Sequence, residues 1–380
     1  INDSVSETKP FVVDYLTQND EPGDFGMGYV FGNFGLSSIH DSLQFNALKY
    51  LLGLQAFDFV DELIFRNLDY LISNNEQELT LFVSVSESDF ASAEQVFERN
   101  DPVDQYSAGY SSSILIYHFI EKKLDLQTFE KSVKTNPSYK NHISWQSYMV
   151  DSMYCEKNKL MGRSCQKLKI WKKSYEDEHE YYVNSPSTKI LNKTPFVVGN
   201  TLIYVISRQL ALPATIAQSV GSFLHCSTSL LFLEQLNLLE LPPNNEGYTI
   251  LLPCYDSWEN LQLNFDVIQK NVTALNTIMK NLIWNGLFYT DTEENLAFVT
   301  STLNGESVNV SRVKSDDADK IHLNVSSLRN SLVEVDKNND IMFNQGVIHP
   351  VSSAYYPDSL KISLRDLILV SESIDFYLPF

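Results

Sequence analysis

Residues 344–357 read NQGVIHPVSSAYYP. This stretch predicts a turn at the Asn and Gly, then a short apolar strand, and an end at Pro357, which has no N–H to donate to a sheet. Residues 200–213 read NTLIYVISRQLALP and follow a similar plan. Two turn–strand–proline segments far apart in one chain predict an internal duplication.

A second pair of segments has the same order in each half. Residues 249–258, TILLPCYDSW, and residues 80–90, TLFVSVSESDF, each predict a strand that ends in a polar turn before an aromatic residue. The two pairs together resemble the two signature motifs of the fasciclin domain. Residues 346–357 and 249–258 match these motifs without a gap. In the N-terminal half, each motif carries one inserted residue, and the second motif lacks the usual glycine after Asn200.

The resemblance implies an α+β fold of two tandem fasciclin-like domains, each a β-sandwich-like wedge with a cap of helices. We expect the first domain at residues 38–213 and the second at residues 214–360. Residues 1–37 would be a linker or the end of a preceding domain. Residues 361–380 would be a terminal helix or the start of a further repeat.

Composition sets limits on function. The chain has 380 residues, 43% of them hydrophobic, and a net charge of −20 with a pI near 4.7. This is long enough for two domains with cores of their own. The acidic balance argues against nucleic acid as a partner, because phosphate binding needs a basic face. No stretch is apolar for long enough to predict a membrane span, and we expect targeting and anchoring segments outside these residues.

The sequence contains none of the short motifs that identify common catalytic, nucleotide-binding or metal-binding sites. We therefore predict no catalytic residue, no cofactor and no metal, and we do not expect an enzyme. A hydrolase whose catalytic groups come from distant positions is the alternative.

The four cysteines allow two bridges. Cys155 and Cys165 bracket a short segment and could form a local bridge, which would leave Cys226 to pair with Cys254. Free buried thiols are the alternative.

Tyr117 and His118 lie in the apolar run 114–120. Some fasciclin domains are credited with an integrin-contacting Tyr-His pair at the matching place, so the resemblance marks these two residues as binding candidates. The alternative is structural, with both rings packed inward and their polar atoms hydrogen bonded. In the second copy, Lys280 and Asn281 are expected at the equivalent place.

A basic segment at residues 157–173 precedes an acidic one at residues 176–180. Opposite charges so close in sequence predict a solvated hairpin whose two sides pair with each other. Contact with anionic lipid is the alternative.

N-glycosylation sequons begin at five asparagines, which become glycan candidates if the chain passes through the secretory pathway. They are Asn2, Asn192, Asn271, Asn309 and Asn324.

The resemblance implies a non-catalytic adhesion or protein-interaction module in a secretory-pathway glycoprotein, with a protein partner or self-association. The asparagine-, serine- and aromatic-rich composition suggests a fungal source. Fungal relatives imply the vacuole lumen or the cell surface, and a role in membrane fusion or contact. The alternative is a protein that binds a lipid or a polysaccharide.

Overall fold

A computed structural model describes much of the chain and shows a mixture of helices and strands, as the α+β prediction requires. The predicted segment 1–37, Asn2 and residues 371–380 lie outside the described residues. Those described are 46–54, 56–73, 77–84, 111–126, 144–155, 161, 164–175, 178–221, 224–290, 298–313, 320–329, 332–336 and 339–370.

Contacts divide the chain into two compact units. Unit 1 comprises residues 1–138 and 187–210, and unit 2 comprises residues 139–186 and 211–380. The chain passes into the C-terminal part of unit 2 close to the expected boundary at 213. However, residues 139–186 group with unit 2, so the domain limits 38–213 and 214–360 stay a prediction.

The helices are short, and several begin at a residue whose side chain accepts a hydrogen bond from the first turn, which is how polar N-caps stabilise helix starts. Asn46, Ser111 and Asn271 accept from the backbone N–H groups of Lys49, Ile114 and Ala274. The helices are α1 (Ala47–Gly53), α2 (Phe57–Phe65), α3 (Tyr70–Ser73), α4 (Ser112–Tyr117), α5 (Ile216–Ser219), α6 (Ser227–Gln235), α7 (Leu263–Lys270), α8 (Val272–Asn281) and α9 (Leu364–Val370), with a 3₁₀ turn at Glu259–Leu261.

The described strands are β1 (Leu79–Ser84), β2 (Phe119–Ile120), β3 (Ser144–Cys155), β4 (Cys165–Tyr175), β5 (Glu178–Val183), β6 (Phe196–Val198), β7 (Thr201–Ile206), β8 (Tyr248–Pro253), β9 (Ile283–Asn285), β10 (Phe298–Ser301), β11 (Ser307–Val313), β12 (Lys320–Val325), β13 (Leu332–Asp336), β14 (Ile341–Phe343) and β15 (Gly346–Val351). They form four sheets, with the orders β2-β1-β7-β6, β14-β15-β8-β9, β10-β11-β12-β13 and β3-β4-β5.

The four predicted motif strands form two parallel pairs, one in each unit. β1 pairs with β7 and β8 pairs with β15, and Thr80 and Thr249 lie opposite Leu202 and Val347. The strand that contains the motif threonine, β1 or β8, also has an antiparallel neighbour that follows a helix. This neighbour is β2 in unit 1 and β9 in unit 2. All residues of these motif strands are buried, as expected for parallel strands covered on both faces. The internal duplication is therefore visible in the strand order.

The turn before the last motif strand differs between the copies. Gly346 has a φ of +156°, and a Cβ added there would lie 1.9 Å from the carbonyl oxygen of Tyr248. The register places Thr201 at the corresponding position in unit 1, where the turn contains Gly199 with a φ of +58° instead. At the position of Gly346 the first copy has Thr201, which is not among the residues with a positive φ, so no glycine is needed after Asn200.

Both bridges that the sequence allows are present in the structure. Cys155 and Cys165 are opposite one another on β3 and β4 and form a disulfide. Cys226, just before α6, is bonded to Cys254 at the end of β8. The second bridge lies in the core of unit 2, with both cysteines buried.

Candidate functional sites

Tyr117 and His118 lie in the core of unit 1, at the junction of α4 and β2. Both side chains have 0% exposure. The Nδ1 atom of His118 is 2.7 Å from the carbonyl oxygen of Ile114, and its Nε2 atom is 3.1 Å from the backbone nitrogen of Leu210. Since the Leu210 N–H donates to Nε2, the remaining hydrogen is on Nδ1 and donates to Ile114. The ring is thus neutral with both nitrogens satisfied.

The surroundings of His118 favour this neutral form. Burial lowers its pKa from about 6.5 to about 4, although the hydrogen bond to Ile114 acts in the opposite direction. Contact with a partner through Tyr117 or His118 would require the core to open. We therefore assign the pair a structural role and do not keep it as a binding site.

The equivalent residues in unit 2 are one position later than the sequence suggested. The Phe82 N–H donates to the His118 carbonyl, and the Leu251 N–H donates in the same way to the carbonyl of Leu282. His118 therefore corresponds to Leu282, and Tyr117 to Asn281. The expected match to Lys280 and Asn281 was wrong, because a helix–strand junction carries no repeat pattern that fixes the alignment.

The motif threonines hold a loop against their strand in each unit. Thr80 Oγ1 donates to the Lys122 carbonyl at 2.7 Å and accepts from the Leu124 N–H at 2.8 Å. Thr249 Oγ1 does the same with the Gly286 carbonyl at 2.8 Å and the Phe288 N–H at 2.9 Å. Both threonines have 0% exposure, so their hydroxyl groups are structural.

Tyr204 and His349 occupy the same position on the parallel partner strands, opposite Phe82 and Leu251. The Tyr204 hydroxyl donates to the Leu124 carbonyl at 3.1 Å. The Nε2 atom of His349 is 2.8 Å from the Phe288 carbonyl, which corresponds to Leu124. The two copies thus fix the same loop with different side chains.

A buried ionic cluster in unit 2 was not expected from the sequence. Asp340 Oδ1 is 3.1 Å from Nδ1 of His349, although the two atoms are not aligned for a hydrogen bond. Asp340 Oδ2 accepts from both the N–H and the hydroxyl of Thr290 at 2.9 Å. Lys169 of β4 donates from Nζ to the Asp340 carbonyl at 2.7 Å and lies 4.1 Å from the centre of the Trp171 ring.

The neighbouring charges keep Asp340 ionised. Burial raises its pKa, but the neighbouring His349 and Lys169 side chains and the Thr290 hydrogen bond together outweigh burial, so that the pKa is below its usual range. Perturbed carboxylates of this kind occur both at catalytic sites and in structural ion-pair networks. Because this carboxylate is buried and its neighbours hold backbone groups, we assign the cluster to the second class.

The hairpin prediction for the basic segment was correct only in part. Lys167 pairs with Asp151 at 2.9 Å, and Lys173 pairs with Glu180 at 3.7 Å across neighbouring strands. Lys169 and Lys172, however, are only 3% and 6% exposed and are not solvated. Residues 157–160, 162, 163, 176 and 177, also in these segments, lie outside the described residues.

Three of the predicted glycan candidates, Asn271, Asn309 and Asn324, are exposed, and Asn192 is half-buried. In the part of the chain that the structure describes, no three His, Cys, Asp or Glu side chains are placed to hold a metal ion. Within those same residues, no helix has the length and apolar content needed to cross a membrane.

Comparisons with known proteins relate the chain to one family. The family model described as the fasciclin domain matches residues 224–357. The FAS1 domain-containing protein YLR001C of Saccharomyces cerevisiae is 37% identical over 357 residues, which cover 93% of this chain and 38% of that protein. The chain thus spans less than half the length of that relative. Among solved structures, a FAS1 domain pair from the insect cell adhesion molecule fasciclin I matches over 82% of this chain and 97% of its own, with 14% identity and a TM-score of 0.35.

Proposed function

The chain is a fasciclin-domain protein, and on that premise we propose that it is a non-catalytic adhesion or protein-interaction module of a secretory-pathway glycoprotein. Fasciclin domains generally serve as such modules, and the proteins that contain them are typically extracellular or secreted. Two fasciclin-like units in one chain would present two surfaces to partners, and linked surfaces bind more tightly than either alone.

The observation that carries this proposal is the use of the motif side chains inside the fold. Thr80, Thr249, Tyr204 and His349 all hydrogen bond to backbone groups of their own unit. Each is fully buried. The residues that identify the family therefore build a scaffold, and we place partner contact on the exposed surface around it.

The disulfides support the proposed compartment. All four cysteines are paired, and disulfides persist in oxidising environments such as the secretory pathway and the cell surface. In the reducing cytosol both pairs would be expected as thiols. A chain with two bridges, one of them in a core, is therefore best placed outside the cytosol.

The more specific proposal is a place in the vacuole lumen or at the cell surface, where the chain would support contact or fusion between membranes. It is supported by the similarity to a protein of the fungus Saccharomyces cerevisiae and by the disulfides. An anchoring segment elsewhere in the full protein would hold the units at the membrane. Imaging of the tagged full-length product tests this: fluorescence in the cytosol would contradict the compartment.

Bead aggregation tests the proposed interaction. Beads coated with the folded chain are mixed with each other and with beads coated with lumenal or cell-surface proteins, at physiological ionic strength. Salt is needed because a net charge of −20 opposes self-association when it is unscreened. We expect folded-chain beads to aggregate with themselves or with one partner set.

The matched control is the same chain after reduction and alkylation, which keeps the residues and removes the disulfides. It should not aggregate specifically. If folded and reduced chains behave alike at all coating densities, adhesion is excluded. A thermal shift with phospholipid vesicles or soluble glucans, without bead aggregation, would favour the lipid- or polysaccharide-binding alternative.

A further inference from the structure

We propose that Asn271, Asn309 and Asn324 carry N-linked glycans in the folded protein and that Asn192 does not. Asn192 and Asn271 begin Asn-x-Thr sequons, and Asn309 and Asn324 begin Asn-x-Ser sequons, so the sequon type does not set Asn192 apart from the other three. Their hydrogen bonds and exposure do. This inference deepens the proposed secretory-pathway function, since it assumes that the chain passes the compartment where such glycans are added.

Asn192 uses its whole amide group to hold β7. Its Nδ2 atom donates to the carbonyl oxygens of Thr194 and Ile203, both at 3.1 Å. Its Oδ1 atom accepts from the N–H of Val205 at 2.6 Å. The side chain thus bonds to Ile203 and Val205 as a neighbouring strand would, and both Nδ2 hydrogens have acceptors.

Glycosylation at Asn192 is incompatible with these bonds. The transfer forms a bond between Nδ2 and the anomeric carbon of an oligosaccharide on a lipid pyrophosphate. It breaks the bond from that carbon to the pyrophosphate and releases one Nδ2 proton. Only one Nδ2 hydrogen would remain for two carbonyl acceptors, and the sugar would have to fit beside a half-buried side chain. A chain glycosylated here would not complete β7 packing.

Asn309 and Asn324 lie on the exposed face of the β10–β13 sheet, where Val310 pairs with Val325. Asn309 therefore lies opposite Ser326, and Asn324 opposite Ser311, so each sequon serine faces the other asparagine. Both asparagines are exposed, and neither side-chain amide has a hydrogen-bond partner among the described residues. Two glycans on diagonal neighbours, about 7–8 Å apart, would cover this part of the sheet.

Asn271 combines helix capping with an available Nδ2. Its Oδ1 atom accepts from the Ala274 N–H at 3.1 Å and caps α8. Its Nδ2 atom donates to no group in the described part of the chain, and the residue is exposed. A glycan on Nδ2 leaves Oδ1 as an acceptor, so the cap and the modification are compatible.

The proposed glycans also limit where a partner can bind. The outer face around β11 and β12 would be covered by two oligosaccharides, which places protein contact in unit 2 on other surfaces. Val299 lies opposite Asn309 and is 69% exposed. A glycan at Asn309 would shield this apolar side chain from water.

Site-by-site mass spectrometry tests the proposal. The whole chain is secreted from a eukaryotic host behind a foreign signal sequence, and the folded product is treated with a glycosidase that converts glycosylated Asn to Asp. We expect conversion at Asn271, Asn309 and Asn324 and unmodified Asn192. Conversion at Asn192 in half or more of the folded chains, or none at Asn309 and Asn324, would overturn the assignment.

Sequon variants that keep each asparagine provide the controls. Thr273→Ala and Ser311→Ala should each lower the intact mass by one glycan, whereas Thr194→Ala should leave it unchanged. Asn192→Asp, which loses the Nδ2 donors, should lower the melting temperature, unlike Thr194→Ala. If Thr194→Ala removes a glycan, the proposal is wrong. Because the host supplies the pathway, a native cytosolic location would refute the proposed function without changing this result.

Discussion

At the residue scale, His118 shows how a titratable side chain is held neutral by the backbone. One ring nitrogen accepts from Leu210 and the other donates to Ile114. The folded state therefore resists protonation until the pH approaches about 4, whereas the ordinary pKa is about 6.5. As the pH falls below 6.5 the unfolded chain binds a proton that the folded chain does not, so stability is lost.

His118→Gln tests whether the low pKa of His118 makes the stability of unit 1 depend on pH. A glutamine can offer one donor and one acceptor but does not titrate. We expect His118 to lower the wild-type free energy of unfolding by about 2 kcal/mol between pH 7 and pH 5. The variant should not show this part of the pH dependence. Denaturant titrations at both pH values measure it. Equal losses in wild type and variant would contradict the neutral-ring assignment.

Asp340 has the opposite dependence, because its folded-state pKa lies below the usual value. Its stabilisation is present above about pH 4 and is lost as the pH falls through the lower, folded-state pKa. Asp340→Asn should lower the free energy of unfolding of unit 2 by about 3–5 kcal/mol at neutral pH. The variant should also unfold with a shallower acid dependence below pH 4.

Asp358→Asn is the matched control for Asp340, because Asp358 is exposed. It should change the free energy of unfolding by less than about 0.5 kcal/mol. If both variants unfold alike in denaturant at neutral pH, the buried cluster does not stabilise unit 2.

At the element scale, the parallel pairs β1–β7 and β8–β15 are the shared framework, and a threonine hydroxyl fastens the following loop in each. Replacing Thr249 by Val keeps the shape and leaves a buried carbonyl and a buried N–H without partners. We expect a loss of about 2–4 kcal/mol, measured by denaturant unfolding, and a similar loss for Thr80→Val in unit 1.

The serine variants separate the hydroxyl from the methyl group. Thr249→Ser and Thr80→Ser keep both hydrogen bonds and should cost about 1 kcal/mol for the lost methyl. A valine variant that is as stable as the serine variant would show that the hydroxyl bonds do not matter.

Much of this framework could be predicted from the sequence. The apolar strand predicted after the Asn and Gly of residues 344–346 is present as Gly346–Val351, because these turn residues mark where it begins. The sequence matched Tyr117 to Lys280, one position before Asn281, because the intervening helices carry no motif that fixes the alignment. The pairing of Thr80 with the Lys122 carbonyl had no local signal, since the contact joins residues far apart in sequence.

At the scale of the whole molecule, the β3–β5 sheet belongs to the same compact unit as the C-terminal half of the chain. Two buried β4 side chains donate to backbone carbonyls around β14. Gln166 donates to Asn344 at 3.0 Å, and Lys169 donates to Asp340. The sequence did not predict this, because lysines along a strand normally indicate a solvated face, whereas here Lys169 and Lys172 are buried and the Lys169 ammonium group binds a carbonyl.

Lys169→Met tests the connection, because methionine keeps the apolar stem and removes the charge. We expect unit 2 to lose about 1–3 kcal/mol, since the Asp340 carbonyl loses its charged donor. Hydrogen exchange should also become faster in residues 165–175 and 339–349 together. Lys167→Met, at a half-buried position on the same strand, is the control and should cost less. Faster exchange in β4 alone would contradict a shared unit.

One structural unit occurs twice in this chain, and in each copy a threonine hydroxyl accepts from the backbone N–H of the following loop. Amide hydrogen exchange resolved by NMR tests it directly at Leu124 and Phe288, whose N–H groups donate to Thr80 and Thr249. We predict that both amides are protected, that Thr80→Val accelerates exchange at Leu124, and that Thr249→Val does so at Phe288. Rapid exchange at either amide in the wild type, or no response to its own threonine variant, would contradict the repeat.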